Sequence, residues 1–166
     1  MWSASAGIFS ARWSDEVLTE WTRNLLFNRP DLKPERLVRT IAEMNRAIPD
    51  AIVTNYETFI PTLNLPDADD RHVLAAAITS SCDIILTLNL KDFPTEQLPE
   101  GMVAMAPDRF LSQLFDHNSA SLLQVMKEHR ASLTRPPKTA EEYIETLKNG
   151  ELLQLAQRVT AHLDQI

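Results

Sequence analysis

In the stretch LPDADDRHVLAAAI (residues 65–78), three aspartates stand directly before an alanine-rich apolar run. The run predicts a helix over about residues 69–81, because its apolar residues recur at helical spacing. Asp70 lies one turn before Val73 and Leu74, which places it at the head of the apolar face of this helix. One acid is enough to cap a helix. Three together therefore indicate either a solvated acidic segment or part of a metal site.

The strongest predicted strand follows this helix. DIILTLNL (83–90) is a continuous apolar run, typical of a parallel strand that is buried on both faces. MVAMA (102–106) is a shorter candidate strand, and AIVT (51–54) a candidate edge strand. This order of helix, strand and short strand favours an α/β layered sheet. Asn89 and Asp92 end or follow the strong strand, and ligands bind beyond the carboxyl ends of strands in such sheets.

Two helices are predicted before the acidic stretch. Ser14, which is followed by two acids, is a typical helix start, and the helix should end before residues 28–31. Pro34 suits the first position of a second helix, which should stop before Pro49. Glu20 borders the apolar stripe of the first helix, so its carboxylate can point inward.

The last third of the chain, residues 107–166, predicts only helices. Two of them precede the linker LTRPPKT (133–139). Thr139 and Glu142 then form a capping box that opens the next helix, and a last helix is predicted over 151–165. We therefore expect a helical extension that packs on the α/β part.

Composition restricts the classes of protein that fit. A chain of 166 residues with 44% hydrophobic residues can bury one sizeable core, so we predict an α/β domain over 1–106 with the helical extension over 107–166. There is no apolar run of about 20 residues and no basic signal-peptide segment, so we expect a soluble cytoplasmic protein. The single Cys82 excludes an internal disulfide and a cysteine-cluster zinc site. The four histidines are scattered, with none at metal-ligand spacing.

The net charge of −7 is concentrated in the middle of the chain. Residues 51–106 carry two basic and eight acidic side chains, whereas 1–50 carry seven of each and 107–166 carry seven basic and eight acidic ones. Clustered carboxylates repel one another unless a cation or a basic partner compensates them. A solvated acidic face is the alternative interpretation.

The segments DADDRHVLAAAI and IILTLNLKDFP strongly resemble the PIN-domain nucleases, in particular the VapC-like toxins of bacterial toxin–antitoxin pairs. ARWSDEVLTEW also fits that family, and the resemblance covers roughly residues 5–110. The helical tail resembles the C-terminal extension of one PIN branch. The resemblance implies a PIN-like parallel sheet flanked by helices and a Mg²⁺- or Mn²⁺-dependent endoribonuclease. An RNA substrate and a cognate antitoxin are the implied partners.

The resemblance also implies roles for individual residues. Glu20, Asp70 and Asn89 match the family's catalytic positions, and Glu16 is the alternative if the register of the first helix differs. Asp92 is the nearest substitute for the aspartate that many relatives have where this chain has Asn89. The implied metal ligands are Glu20, Asp70 and Asp92. The supporting residues are Asp67, Asp69 and Thr87, and the candidate RNA-binding residues, for which solvated surface is the alternative, are Arg12, Arg23 and Lys91.

The chain departs from the family at its start. A PIN domain opens with an apolar strand that ends in an aspartate, whereas MWSASAGIF (1–9) resembles the last turn of the helix that follows. We therefore expect an N-terminally truncated sheet with exposed strand edges, to be closed by rearrangement, by a partner chain or by a homodimer. We also expect weakened metal binding, since Mg²⁺ demands near-ideal geometry. The alternative is a non-catalytic PIN remnant that acts as a binding or assembly module, for example for the antitoxin.

Overall fold

The computed structural model describes residues 2–166, which divide into two units. The acidic unit comprises residues 10–85 and 89–104, and the helical unit comprises residues 2–9, 86–88 and 105–166. The predicted domain boundary at residue 106 stays a prediction. The helices are α1 (Trp2–Ser5), α2 (Asp15–Asn28), α3 (Pro34–Ala47), α4 (Arg71–Thr79), α5 (Pro107–Ser132), α6 (Ala140–Asn149) and α7 (Leu153–Thr160), and the strands are β1 (Ile84–Leu86) and β2 (Val103–Met105).

The helix starts of the acidic unit follow from local capping chemistry. The Ser14 hydroxyl accepts a hydrogen bond from the backbone N–H of Val17 at 3.2 Å, and Pro34 occupies the first turn of α3. Both predicted helices are therefore confirmed. The predicted helix over about 69–81 is present as α4, which begins two residues later, because the Asp67 carboxylate accepts the backbone N–H of Asp69 at 2.9 Å in a turn that precedes the helix.

The two strands form a parallel pair. The backbone N–H of Val103 donates to the carbonyl of Asp83 at 2.9 Å, and that of Thr87 donates to the carbonyl of Met105 at 3.0 Å. A small parallel sheet with helices before and after it confirms the α/β class with a helical C-terminal part. In the described chain, β2 is the only strand beside β1.

The predicted strand over 83–90 is too long, and its expected burial on both faces is wrong. Only β1 is extended, and within it Ile85 is 4% exposed whereas Leu86 is 45% exposed. Leu88, two residues further, is 71% exposed. Ile85 packs in the hydrophobic core, whereas the side chain of Leu86 points to the opposite face of the strand, which is exposed.

The segment 51–54 does not form the predicted edge strand. Ile52 makes an isolated parallel bridge with Trp13. The backbone N–H of Trp13 donates to the Ala51 carbonyl, and the backbone N–H of Val53 donates to the Trp13 carbonyl, each at 2.9 Å. The main core of this unit lies around α4. Its buried members are Leu65, Leu74, Ala77, Ile85, Phe93 and Met102.

The helical unit is built on two helical segments of α5 that meet at a kink. The two helices predicted before the linker are confirmed, since Asn118, which lies between them, has a non-helical backbone with φ of −148° and ψ of 58°. The predicted capping box of α6 is confirmed, since Glu142 N–H donates to the Thr139 hydroxyl at 3.2 Å and Thr139 N–H donates to the Glu142 carboxylate at 2.9 Å. Helix α7 is shorter than the predicted span of 151–165.

Contacts from both ends of the chain complete the helical unit. The Asp108 carboxylate of α5 accepts the backbone N–H groups of Gln154 and Leu155 at 2.9 and 3.0 Å, so it caps α7. Ile8 packs against the core, and Phe9 meets Phe110 edge-on with ring centroids 5.0 Å apart. None of the helices in residues 2–166 combines the length and the apolarity that a bilayer span needs.

Candidate metal site

Three aspartates converge in the acidic unit. Asp67, Asp70 and Asp92 each present a carboxylate oxygen, and these oxygens all lie within 4.8 Å of one another. Asp67 belongs to the turn before α4, Asp70 is the N-cap residue of α4, and Asp92 ends the 3₁₀ turn Leu90–Asp92 after β1. Asp67 is exposed, Asp70 is half-buried and Asp92 is buried. The site therefore combines groups that are 25 residues apart in sequence.

Buried neighbours in the sequence hold these carboxylates in place. Leu65, two residues before Asp67, and Phe93, directly after Asp92, are members of the same hydrophobic core. Leu74, one turn after Asp70, also belongs to that core and is fully buried. Because each acid is linked to an anchored apolar residue, the cluster is fixed by packing of the core.

The Asp70 carboxyl shows the electrostatic cost of this arrangement. Burial raises the pKa of Asp70 above its ordinary value, and the nearby charges of Asp67, Asp92 and Glu20 raise it further, while His72 opposes them. Desolvation and like charges both disfavour ionised carboxylates. A bound cation would relieve both effects.

The donor set fits a hard divalent cation. Mg²⁺ and Mn²⁺ prefer oxygen ligands, and the three converging groups are all carboxylates. Asn89 adds an orienting contact, since its side-chain amide donates to Asp92. Asn89 therefore contacts one of the three converging carboxylates.

Glu20 lies beside the cluster and not within it. Its carboxylate oxygen Oε2 is 3.2 Å from Nε2 of His72, and Oε1 is 3.6 Å from the Arg23 guanidinium. The other ring nitrogen of His72, Nδ1, is 3.6 Å from the Glu16 carboxylate. Sequence reasoning missed His72. The available signal was the spacing of Glu16 and Glu20, which puts two acids on one face of α2.

The other predicted supporting residues are Asp69 and Thr87. Asp69 is exposed, and its backbone N–H donates to the Asp67 carboxylate. Thr87 is half-buried directly after β1, and it belongs to the helical unit.

The three candidate RNA-binding residues are exposed and belong to the acidic unit. Arg12 donates to the Ala11 carbonyl at 2.9 Å, Arg23 pairs with Glu20, and Lys91 precedes Asp92 in the 3₁₀ turn. Of these three residues, Lys91 is therefore the one that the sequence places next to a member of the acidic cluster.

Comparisons with known proteins match two parts of the chain. The family model of the PIN domain matches residues 2–91, and that of the VapC50 C-terminal domain matches residues 107–161. A protein of Mycobacterium tuberculosis (strain ATCC 25618 / H37Rv) named "Putative ribonuclease VapC50" is 33% identical over 98 residues. That alignment covers 58% of this chain and 57% of the relative. No solved structure matched. The PIN-domain match covers more than half of the chain, and the chain therefore belongs to the PIN-domain family.

Proposed function

We propose that this chain is a Mg²⁺- or Mn²⁺-dependent endoribonuclease of the VapC-like toxin type. The observation that carries the proposal is the convergence of Asp67, Asp70 and Asp92 within 4.8 Å in a chain of the PIN-domain family. The similarity to a relative whose name includes ribonuclease supports RNA as the substrate.

The proposed site assigns a task to each group. Asp67, Asp70 and Asp92 would hold the cation, which when bound activates water and neutralises charge on the phosphate. Asn89 orients Asp92 through its side-chain amide. Glu20 contributes negative charge beside the cluster, because it is near enough to raise the pKa of Asp70. Without a cation, the same carboxylates repel an RNA backbone.

RNA contact would come from exposed cations of the acidic unit. We propose Lys91, Arg12 and Arg23 as phosphate-binding residues, and Lys91 is favoured by its position next to Asp92. Phosphate contacts of this kind are sequence-independent and weaken as the salt concentration rises. Replacing Lys91 with glutamine should therefore weaken RNA binding at low salt more than at high salt.

A nuclease of this type needs a neutralising partner, so we propose a cognate antitoxin. The resemblance to VapC-like toxins and the match to the VapC50 C-terminal domain support this assignment. We also propose that a second copy covers the exposed apolar residues Leu86 and Leu88. Light scattering at several concentrations tests the homodimer, and a monomer throughout would contradict it.

RNA cleavage tests the proposed activity. A single-stranded RNA should be cleaved in the presence of Mn²⁺ or Mg²⁺, and chelation of the metal should stop cleavage. Asp70→Asn should abolish cleavage, whereas Asp50→Asn, an identical change at an exposed acid outside the cluster, should leave it unchanged. Cleavage that persists in Asp70→Asn would contradict the assignment.

A second proposal is that the 166-residue chain binds its metal weakly. Among residues 2–166, the cluster contains three carboxylates, and a fourth oxygen ligand would tighten an octahedral site. A chain extended by an apolar strand ending in aspartate should bind Mn²⁺ more tightly and cleave RNA faster. Equal activity would contradict the proposed impairment. If calorimetry detects no metal binding by either chain, the alternative of a non-catalytic binding or assembly module gains support.

A further inference from the structure

His72 is a buried histidine between two acids of another helix. It lies on α4 with 4% of its surface exposed, and its two ring nitrogens face two different glutamates of α2. Nε2 is 3.2 Å from Glu20 Oε2, whereas Nδ1 is 3.6 Å from Glu16 Oε2. Only the contact with Glu20 is within hydrogen-bond distance.

The two glutamates differ in what else holds them. Glu16 also accepts a hydrogen bond from the Tyr56 hydroxyl at 3.4 Å, and half of its side chain is exposed. Glu20 is less exposed, at 33%, and its other oxygen is 3.6 Å from the guanidinium of Arg23, whose side chain is 71% exposed. An exposed ion pair of this length fixes a carboxylate poorly. The buried imidazole is therefore the contact best able to fix Glu20.

His72 also belongs to the segment that carries the metal site. It follows Asp70 by two residues on the helix whose N-cap residue is Asp70. Its neighbour Leu74 is fully buried, so the imidazole is attached to a rigid part of the core. A hydrogen bond from such a position determines where the Glu20 carboxylate lies relative to Asp67, Asp70 and Asp92.

We propose that His72 is a positioning residue, which holds the Glu20 carboxylate beside the Asp67–Asp70–Asp92 cluster by donating a hydrogen bond from Nε2. The effect of His72 on metal binding rests on the proposed function, in which the three aspartates hold a cation. His72 acts on the cation through Glu20, and Glu20 supplies negative charge at a fixed position beside the three aspartates. The histidine itself is not a metal ligand in this scheme.

Calorimetric titration of the full chain with Mn²⁺ tests the proposed effect of His72 on metal binding. His72→Asn and Glu20→Gln should each weaken Mn²⁺ binding by about tenfold, the usual size of an effect on groups that orient a metal site. The double variant should bind no more weakly than Glu20→Gln alone, because His72 acts through Glu20. His72→Gln should recover most of the affinity, since a glutamine amide can reach the place of Nε2 and an asparagine amide cannot.

Glu35→Gln is the matched control, because it makes the same change at an exposed acid of α3 outside the cluster and should leave the affinity within about twofold. Independent losses from His72→Asn and Glu20→Gln, which multiply in the double variant, would overturn the proposal. Wild-type affinity for Mn²⁺ in His72→Asn or in Glu20→Gln would also overturn the proposal. Circular dichroism identifies any variant that does not fold.

Nitrogen-15 NMR of the metal-free protein tests the contact independently of the metal. At pH 7.5, Nε2 of His72 should carry a proton, and Glu20→Gln should shift its resonance more than Glu16→Gln does. An unprotonated Nε2, or an equal response to the two glutamine variants, would overturn the positioning role. If the wild-type chain binds no Mn²⁺, the proposed function fails, and this measurement still decides whether His72 holds Glu20.

Discussion

Asp70 is the residue at which stability and metal binding oppose each other. Its carboxyl is partly buried and lies close to Asp67, Asp92 and Glu20, and for these reasons its pKa is raised. In the metal-free protein, the ionised form of Asp70 therefore destabilises the fold. Functional sites commonly retain groups that are unfavourable without their ligand.

Asp70→Asn should therefore stabilise the metal-free protein while removing metal binding. We expect the melting temperature without metal to rise by roughly 1–2 °C at low salt, the size of a modest charge effect. The rise in melting temperature that Mn²⁺ gives the wild-type chain should be absent in the variant. Thermal unfolding with and without Mn²⁺ checks both parts. A lower melting temperature for metal-free Asp70→Asn would show that Asp70 has a stabilising role.

His129 is the residue that should make stability depend on pH in the helical unit. Its ring Nδ1 is 2.9 Å from the buried Tyr143 hydroxyl, and burial lowers the pKa of His129 below its ordinary value. The unfolded chain therefore binds a proton at a higher pH than the folded chain does. Stability contributed by the neutral imidazole is present above the unfolded-state pKa of about 6.5 and is lost as the pH falls towards the lower folded-state pKa.

We predict that the free energy of unfolding falls between pH 7.5 and pH 5.5 and that His129→Gln reduces this fall. Urea titrations at the two pH values measure the difference. His117→Gln is the control, because His117 is exposed and its Nδ1 lies 2.7 Å from a backbone carbonyl of its own helix. An equal pH dependence in wild type and His129→Gln would contradict the prediction.

At the scale of elements, α2 connects helix capping to the candidate site. Its N-cap Ser14 is completely buried and accepts a hydrogen bond from Val17 N–H. The same helix carries Glu16 and Glu20, which both face His72. The position of these acids therefore depends on how the first turn of α2 is formed.

Ser14→Ala should lower the free energy of unfolding by about 1 kcal/mol, because the first turn of α2 loses its side-chain acceptor. Ser10→Ala, at an exposed position before the helix, should change it by less than about 0.5 kcal/mol. Urea unfolding of the three proteins provides the comparison. Equal stabilities would mean that another group satisfies the N–H of Val17.

The starts of α2, α3 and α6 were the most predictable boundaries, since their causes are local. Ser14, Pro34 and the Thr139–Glu142 box are visible in the sequence and act within one turn. Strands depend on distant partners, so the same pattern reasoning made the strand over 83–90 too long and predicted a strand over 51–54 that is a single bridge.

The candidate site was predictable only in part. The position of Asp70 before an apolar helix and of Asp92 after a strand singled out two of the three converging acids, and Asp67 was expected in support. The contact of His72 with Glu20 joins two helices that are separated by 52 residues. The spacing of Glu16 and Glu20 places both acids on one face of α2, but nothing in the sequence near His72 indicates that it packs against that face.

At the scale of the whole molecule, the helical unit is assembled from three separate stretches of chain. Residues 2–9 belong to it together with 86–88 and 105–166. Ile8 packs against its core, and Phe9 contacts Phe110. The first residues of the chain therefore contribute to the stability of the last helices.

Ile8→Ala should lower the free energy of unfolding of the full chain by about 1–2 kcal/mol, because it removes apolar surface from a half-buried position against this core. Ser5→Ala, an exposed change in the same segment, should have an effect below about 0.5 kcal/mol. Urea unfolding followed by circular dichroism measures both. An unchanged stability in Ile8→Ala would show that residues 2–9 do not support the helical unit.

The discontinuous helical unit also has a consequence for the order of events during synthesis. The acidic unit is complete once residue 104 has left the ribosome, whereas residues 2–9 must wait for the core formed by residues 105–166. At translation rates of about 5–20 residues per second, these 62 residues take roughly 3–12 s to make. During that interval Ile8 and Phe9 remain without their native partners, so residues 2–9 of the nascent chain form a segment that a chaperone can bind.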